Sequence, residues 1–198
     1  AASDVYKRQN PGTSEMHLVA SIDNNPEIRP VLGLFEGVVT GAADGYARMA
    51  EKSAANLLHL GPGLGNGFAN IHNAKKARSP LVNIVGDHAT YHLKHNAPLT
   101  SDLDNLAKSS SDWVGRSKSS EDICDLANIA WQQANSLPGQ ISTLIVPADS
   151  AWGEFKGNIP KPLKKEEFAS IYEQLIPNSA EVLKVDNSIL YLGGKFLN

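Results

Sequence analysis

Apolar residues follow two periods along this chain. Short, nearly unbroken runs, Ala54-Ala-Asn-Leu-Leu-His-Leu60, Leu81-Val-Asn-Ile-Val85 and Ile141-Ser-Thr-Leu-Ile-Val146, alternate with stretches where apolar residues recur every three or four positions. The first pattern is that of strands buried on both faces of a parallel sheet, and the second is that of helices laid against one. The pattern predicts strands at 28–34, 54–60, 81–85, near 113–114, and at 141–146, with helices at 36–50, 68–78, 103–108 and 121–135. A further helix starts at Thr13 and stops at Asn24-Asn25-Pro26; Thr13 or Ser14 caps it, Glu15 suits its positive end, and Met16, Val19 and Ile22 form its apolar face. Strands alternating with helices predict an α/β fold, a three-layer α/β/α arrangement around a mostly parallel sheet.

Helix 36–50 stands out by composition. Gly37, Gly41, Ala42, Ala43, Gly45 and Ala47 give it a small-residue surface. Each glycine weakens an exposed helix by about 1 kcal/mol relative to alanine, so this helix depends on close packing against the sheet or a partner. Glu36 stands where the preceding strand ends and this helix begins, which is where α/β folds place their chemistry. Taken alone, a carboxylate there is more often a favourable charge at a helix N-terminus.

The other candidates fall at strand ends as well. Gly61-Pro-Gly-Leu-Gly-Asn-Gly67 follows a strand and precedes a helix, the setting of a dinucleotide fingerprint, but G-x-G-x-x-G starting at Gly61 requires glycine where Asn66 stands. No Gly-Lys-Ser/Thr follows, so it is not a P-loop. Glycines here let a ligand approach the main chain. His59 sits just before this turn; a lone strand-end histidine is usually structural, although ligands bind at such ends. His88, His92 and His95 have a spacing that would align three imidazoles on a helix, but the surrounding turn residues favour a loop, and no metal site is assigned.

Composition narrows the function classes. The 198 residues carry a net charge of −3, which makes no electrostatic case for nucleic acid. No apolar run reaches the roughly 18 residues that span a membrane, and no secretory start is visible, so a cytoplasmic protein is the default. Cys124 is the single cysteine, and its apolar helical neighbours point to a buried thiol rather than a nucleophile. Residues 1–9 lack the apolar run of a buried strand yet lead into the strand-end turn Asn10-Pro-Gly-Thr13, and they read as a non-native leader in place of a lost first strand. Losing that strand would expose the neighbouring strand edges and lower stability. Prolines and charges from Pro147 to Lys165 mark a connector, followed at 166–198 by helical segments and one strand, the start of a second α/β domain.

Three groups of residues together carry a resemblance: Asn10-Pro-Gly-Thr-Ser-Glu15, then Phe35-Glu36 with Ala43-Asp-Gly-Tyr-Ala-Arg48, and Leu58-His-Leu-Gly-Pro-Gly-Leu-Gly-Asn66. The chain resembles the N-terminal pyrimidine-binding domain of thiamine diphosphate-dependent enzymes, and is most similar to the acetolactate synthase large subunit and benzoylformate decarboxylase groups. The resemblance covers 10–154, leaving 155–165 as linker and 166–198 as the truncated start of the family's middle domain. It implies a decarboxylase or carboligase acting on 2-keto acids. The glutamate matching Glu36 hydrogen-bonds N1′ of the cofactor's aminopyrimidine and so activates it. The resemblance further implies cofactor contacts from Pro11, Gly12, Gly61, Gly63 and Asn66. It makes His59 a catalytic proton shuttle and Thr13 a substrate contact, with Asp87 and His88 as weaker candidates near the substrate. Acetolactate synthases proper lack the histidine, which draws the chain toward the decarboxylases.

The family's Mg2+ and diphosphate anchor, a Gly-Asp-Gly followed some 25–30 residues later by Asn, belongs to a C-terminal domain and does not occur in this stretch. In the family the site forms between the pyrimidine domain of one subunit and the diphosphate domain of another. The resemblance thus implies a homodimer or dimer of dimers and half of an active site, inactive alone. Two other readings stay open on the residues themselves, a Rossmann-type NAD-binding domain and a non-catalytic α/β interaction module.

Overall fold

The computed structural model describes the backbone of residues 5–10, residues 12–161, and positions 181 and 184. The chain divides into two compact units, Ala1–Lys164 and Lys165–Asn198, and only the first is described below. The predicted second domain at 166–198 lies almost wholly outside the described residues.

Six strands, β1 (Val5–Asn10), β2 (Ile28–Leu32), β3 (Ala54–Leu58), β4 (Leu81–Asp87), β5 (Trp113–Arg116) and β6 (Ile141–Pro147), form one sheet in the order β2-β1-β3-β4-β6-β5. Every neighbouring pair is parallel. The helices are α1 (Met16–Asp23), α2 (Glu36–Ala50), α3 (Pro62–Lys76), α4 (Leu103–Ser110), α5 (Ile123–Asn135) and α6 (Ala148–Trp152). One apolar layer joins α2, α3 and α4 to the sheet through Val39, Ala43, Leu64, Ile71, Leu103 and the strand residues Leu58, Leu81 and Ile145. The opposite layer joins α5 to Val82, Leu144 and Val146. The predicted three-layer α/β/α architecture is the observed one.

Several details differ from the sequence-based expectation. Residues 5–10 do not leave the sheet open; their backbone pairs with β2 on one side and β3 on the other. Parallel pairing uses only main-chain groups, so a run poor in apolar residues can still fill that position. β2 is an edge strand, and this explains Pro30 within it. Its residues are largely exposed, and so is Leu34 beyond it. α1 buries Ile22, but Met16 is 60% exposed and belongs to no apolar face. The stretch after Pro147 first continues as α6, because Asp149 accepts hydrogen bonds from the Thr90 amide and hydroxyl and pins the helix to the loop after β4.

A row of buried polar side chains crosses the sheet. Asn56 Nδ2 donates to Asn83 Oδ1 at 2.8 Å, and Asn83 Nδ2 donates to Thr143 Oγ1 at 3.2 Å. The Thr143 hydroxyl in turn meets Ser111 Oγ at 2.7 Å. Asn56, Asn83 and Thr143 are all fully buried. Asn83→Ala leaves the buried Asn56 Nδ2 without its partner, at about 1–3 kcal/mol, while Thr143 keeps its hydrogen bond to Ser111. Unfolding in urea should show stability lowered by about 1–3 kcal/mol, seen as a lower midpoint with the slope unchanged.

Candidate functional site

Glu36 is positioned by the turn between β2 and α2. Phe35 is extended, and Glu36 is the first residue of the helix, 8% exposed. Asn66 on α3 donates from Nδ2 to Glu36 Oε2 at 3.0 Å. The two helices that carry these residues are tied together beneath them. Thr40 Oγ1 donates to the Glu36 carbonyl at 2.8 Å and lies 3.2 Å from the Gly67 carbonyl, while Asn70 Nδ2 donates to the Gly37 carbonyl at 2.7 Å. A Cβ on Gly67 would lie 2.8 Å from Thr40 Cγ2, so this close approach needs glycine.

The glycine-rich segment is helical from Pro62 rather than a turn leading to a helix at residue 68. Proline at the first helical position fits this start. Its glycines serve separate purposes. Gly61 has φ +52°, and a Cβ there would lie 2.6 Å from Ser101 Oγ and 2.7 Å from the Leu99 carbonyl; it lets the loop before α4 close down and does not face Glu36. Gly63 does face it: a Cβ would stand 2.8 Å from His59 Cβ and 3.3 Å from Glu36 Oε1. Gly63 therefore lets α3 pass close to both residues, so that the Glu36 carboxylate and the base of the His59 side chain approach the same point of the backbone.

His59 follows the last residue of β3 and lies against Gly12, whose missing side chain makes room for the ring. Its Nδ1 is 2.9 Å from Glu15 Oε2, and Ser14 Oγ lies 3.4 Å from the same nitrogen. Glu15 is fully buried. The hydrogen bond that His59 donates to Glu15 raises its pKa, burial of the ring lowers it, and the negative charges of Glu15 and Glu36 raise it further; the net result lies above 6.5. Folded His59 thus holds its proton more tightly than an unfolded histidine. Its contribution to stability is complete below about pH 6.5 and is lost as pH rises through the raised value. Urea midpoints measured between pH 6 and 8 should fall with rising pH, and His59→Asn should flatten that slope.

A cavity of about 300 Å³ opens beside His59, and Thr13, His88, Tyr91, Leu99 and Trp152 contribute to its wall. The structure therefore brings Thr13, His59 and His88 together. Asp87 is not among them. It is 1% exposed, its Oδ2 accepts from Arg116 at 2.7 Å and its Oδ1 from the His88 amide at 2.8 Å. Arg116 also pairs with Asp104 at 2.6 Å, so Asp87 anchors the loop that carries His88. His88, His92 and His95 lie on that loop with ring centroids 5.5 and 5.4 Å apart. Among the described residues no group of three His, Cys, Asp or Glu could hold a metal ion. Cys124 is half-buried on α5. Pro11 lies outside the described residues.

Four site residues escaped the sequence. Glu15 reads as an ordinary first-turn acid, and only the fold reveals that it lies under His59. Arg116 gives no local signal because its partners are 29 and 12 positions away. Tyr91 and Trp152 reach the cavity from a loop and from a helix that composition marked as part of a connector.

Comparison with known proteins identifies the family. The family described as "Thiamine pyrophosphate enzyme, N-terminal TPP binding domain" matches residues 7–107. IlvX of Mycobacterium tuberculosis H37Rv, provisionally named as an acetolactate synthase large subunit, is 58% identical over 145 residues, which are 73% of this chain and 28% of that protein. The benzoylformate decarboxylase of Pseudomonas aeruginosa is 31% identical over 162 residues, 81% of this chain and 29% of its own length. The chain thus spans under a third of the curated relatives it matches. Among solved structures, the thiamine diphosphate-dependent 4-hydroxybenzoylformate decarboxylase of Rhodococcus jostii RHA1 shares the fold with a TM-score of 0.75 at 24% identity, over 88% of this chain and 34% of that one. These findings give the NAD-binding alternative no support. The chain belongs to the family of N-terminal, thiamine pyrophosphate-binding domains of thiamine pyrophosphate enzymes.

Proposed function

We propose that this chain supplies the pyrimidine-side half of the active site in a thiamine diphosphate-dependent decarboxylase or carboligase acting on a 2-keto acid. The observation that carries the reading is the Glu36 carboxylate, buried at the start of α2, held by Asn66 and brought near His59 where both approach Gly63. Glu36 Oε2 is held by Asn66, while Oε1 has no hydrogen bond among the described residues and is left to accept one from a ring nitrogen of the cofactor. When bound, the cofactor supplies an electron sink for the bond to the departing carboxylate. Glu36 orients the aminopyrimidine and exchanges a proton with it. Asn66 keeps the carboxylate aimed, and Gly12 and Gly63 keep side chains out of the way. His59, Thr13 and His88 line the neighbouring cavity, where a substrate's carboxylate and carbonyl oxygens find donors.

The remaining elements of the reading concern the assembly. Mg2+ and the diphosphate belong to a domain that this stretch does not include. The outward side of α2 carries Val38 and Met49, 61% and 88% exposed, next to Leu34 at 91%. Exposed apolar side chains at helical spacing suit packing against a second subunit, in a homodimer or dimer of dimers. No helix among the described residues is long and apolar enough to cross a membrane, and a cytoplasmic location fits. The domain at 10–154, the linker at 155–165 and the middle-domain start at 166–198 remain the proposed division of the chain. The deciding experiment measures CO₂ release from 2-keto acids by the full-length enzyme with and without thiamine diphosphate. Turnover that ignores the cofactor, or that survives loss of the Glu36 carboxylate, would overturn the proposal.

A further inference from the structure

We propose that Glu15 is the positioning residue of His59, fixing the imidazole with its Nδ1 proton toward Glu15 and its Nε2 toward the cavity. This rests on the reading of that cavity as the place where substrate reacts. The geometry is that of a carboxylate behind a histidine. Glu15 Oε2 lies 2.9 Å from Nδ1, and a carboxylate can only accept there, so the neutral ring carries its proton on Nδ1. His59 Nε2 has no hydrogen-bond partner among the described residues, and the ring lines the cavity with Thr13 and His88.

Glu15 is unusual for a residue that merely caps a turn. It accepts the Gly12 amide at 2.6 Å, as a capping residue would. It is also wholly buried, and its Oε1 has no hydrogen-bond partner. A glutamine could accept the Gly12 amide equally well without placing a charge in the interior. The charge acquires a use when His59 takes up a proton at Nε2: Nδ1–H stays in place, and Glu15 neutralises the resulting imidazolium. When Nε2 returns the proton to substrate or solvent, the ring reverts to the same tautomer, ready for another cycle. The space for the carboxylate is made by β4, where a Cβ on Gly86 would overlap it.

The other titratable groups around the ring are Glu36 from α2 and His88, Tyr91 and His92 from the loop after β4. Glu36 acts on His59 only through its charge, whereas Glu15 makes the hydrogen bond that most raises the pKa. The two carboxylates therefore separate experimentally.

The test is nitrogen-15 NMR of the imidazoles in this chain, recorded from pH 5 to 9 through long-range proton–nitrogen correlations. The wild type should show neutral His59 as the Nδ1–H tautomer, titrating above the pH of an unperturbed histidine. Glu15→Gln should move the titration to lower pH and mix the tautomers, and Glu15→Asp should restore part of both. An Nε2–H tautomer in the wild type overturns the proposal without any variant, so poor folding of Glu15→Gln cannot hide a negative result. An unchanged titration in a folded Glu15→Gln protein overturns it as well. None of these spectra depends on a cofactor, so they would hold even if turnover proved independent of Glu36. The positioning role and the proposed function can therefore fail separately.

Discussion

Glu36→Gln should lower thiamine diphosphate-dependent turnover of a 2-keto acid by roughly 10²–10⁴-fold, the range lost when a positioned proton-transfer group is removed. The expectation follows from where the side chain sits. Glutamine is nearly isosteric with glutamate, and its carbonyl oxygen can still accept the Asn66 amide that now reaches Oε2. The turn at Phe35 and the tie between Thr40 and the residue 36 carbonyl involve no side-chain charge at that position. The fold should therefore survive with a urea midpoint close to that of the wild type. What disappears is a carboxylate able to exchange a proton with the cofactor. Glu36→Asp tests the geometry separately: it keeps the charge but retracts it by one methylene, so it should also be severely impaired. Both variants are measured in the full-length enzyme by CO₂ release, with circular dichroism confirming the fold. An aspartate variant as active as the wild type would show that contact distance is not the requirement.

Gly86→Ala should be strongly destabilising. Gly86 pairs with Val146 in the middle of the sheet, and a Cβ there would overlap Glu15 Oε1 and come within 2.9 Å of Glu15 Cγ. Glu15 has nowhere to retreat, because it is fully buried and held by the Gly12 amide and His59. Overpacking of this kind costs about 1–3 kcal/mol, and displacing Glu15 also disturbs its hydrogen bonds to the Gly12 amide and His59. The upper figure, about 3 kcal/mol, is a large share of the roughly 5–15 kcal/mol that stabilises an ordinary domain. Urea unfolding of Gly86→Ala, Glu15→Ala and the double variant forms a cycle. The double variant should be more stable than the sum of the two single losses predicts, since removing Glu15 removes the clash. Strict additivity would mean that the methyl group does its damage elsewhere.

The parts of this molecule that sequence made legible are those governed by local periodicity. The buried runs at β3, β4 and β6 and the helix Glu36–Ala50 could be read because each carries its own pattern of apolar spacing. Glu36, His59 and Gly63 could be placed in the site because they stand at strand ends, where this fold class does its chemistry. The hidden features depend on long-range pairing. A buried acid such as Glu15 has the same local sequence as an exposed one, and only the absence of a side chain at Gly86, 71 positions later, makes room for it. Asp87 looked like a substrate contact for the same reason, since nothing near it announces Arg116. β1 was hidden for a different reason: its pairing lies in the main chain, and side-chain pattern cannot report it.

The row formed by Asn56, Asn83 and Thr143 has a consequence for how the strand ends align. Side chains alternate between the two faces of a sheet, so sliding any strand by a single residue would swing its amide or hydroxyl into the opposite, apolar layer. The amides can meet one another only when Asn56 stands level with Asn83 and Asn83 with Thr143, which is the observed register. That same register sets Asn10 beside Leu58 and Leu58 beside Val85. His59, Gly86 and the turn bearing Glu15 consequently emerge at one height above the sheet. The polar row acts as an alignment gauge: three side chains in the core fix to within one residue which side chains can meet over the sheet.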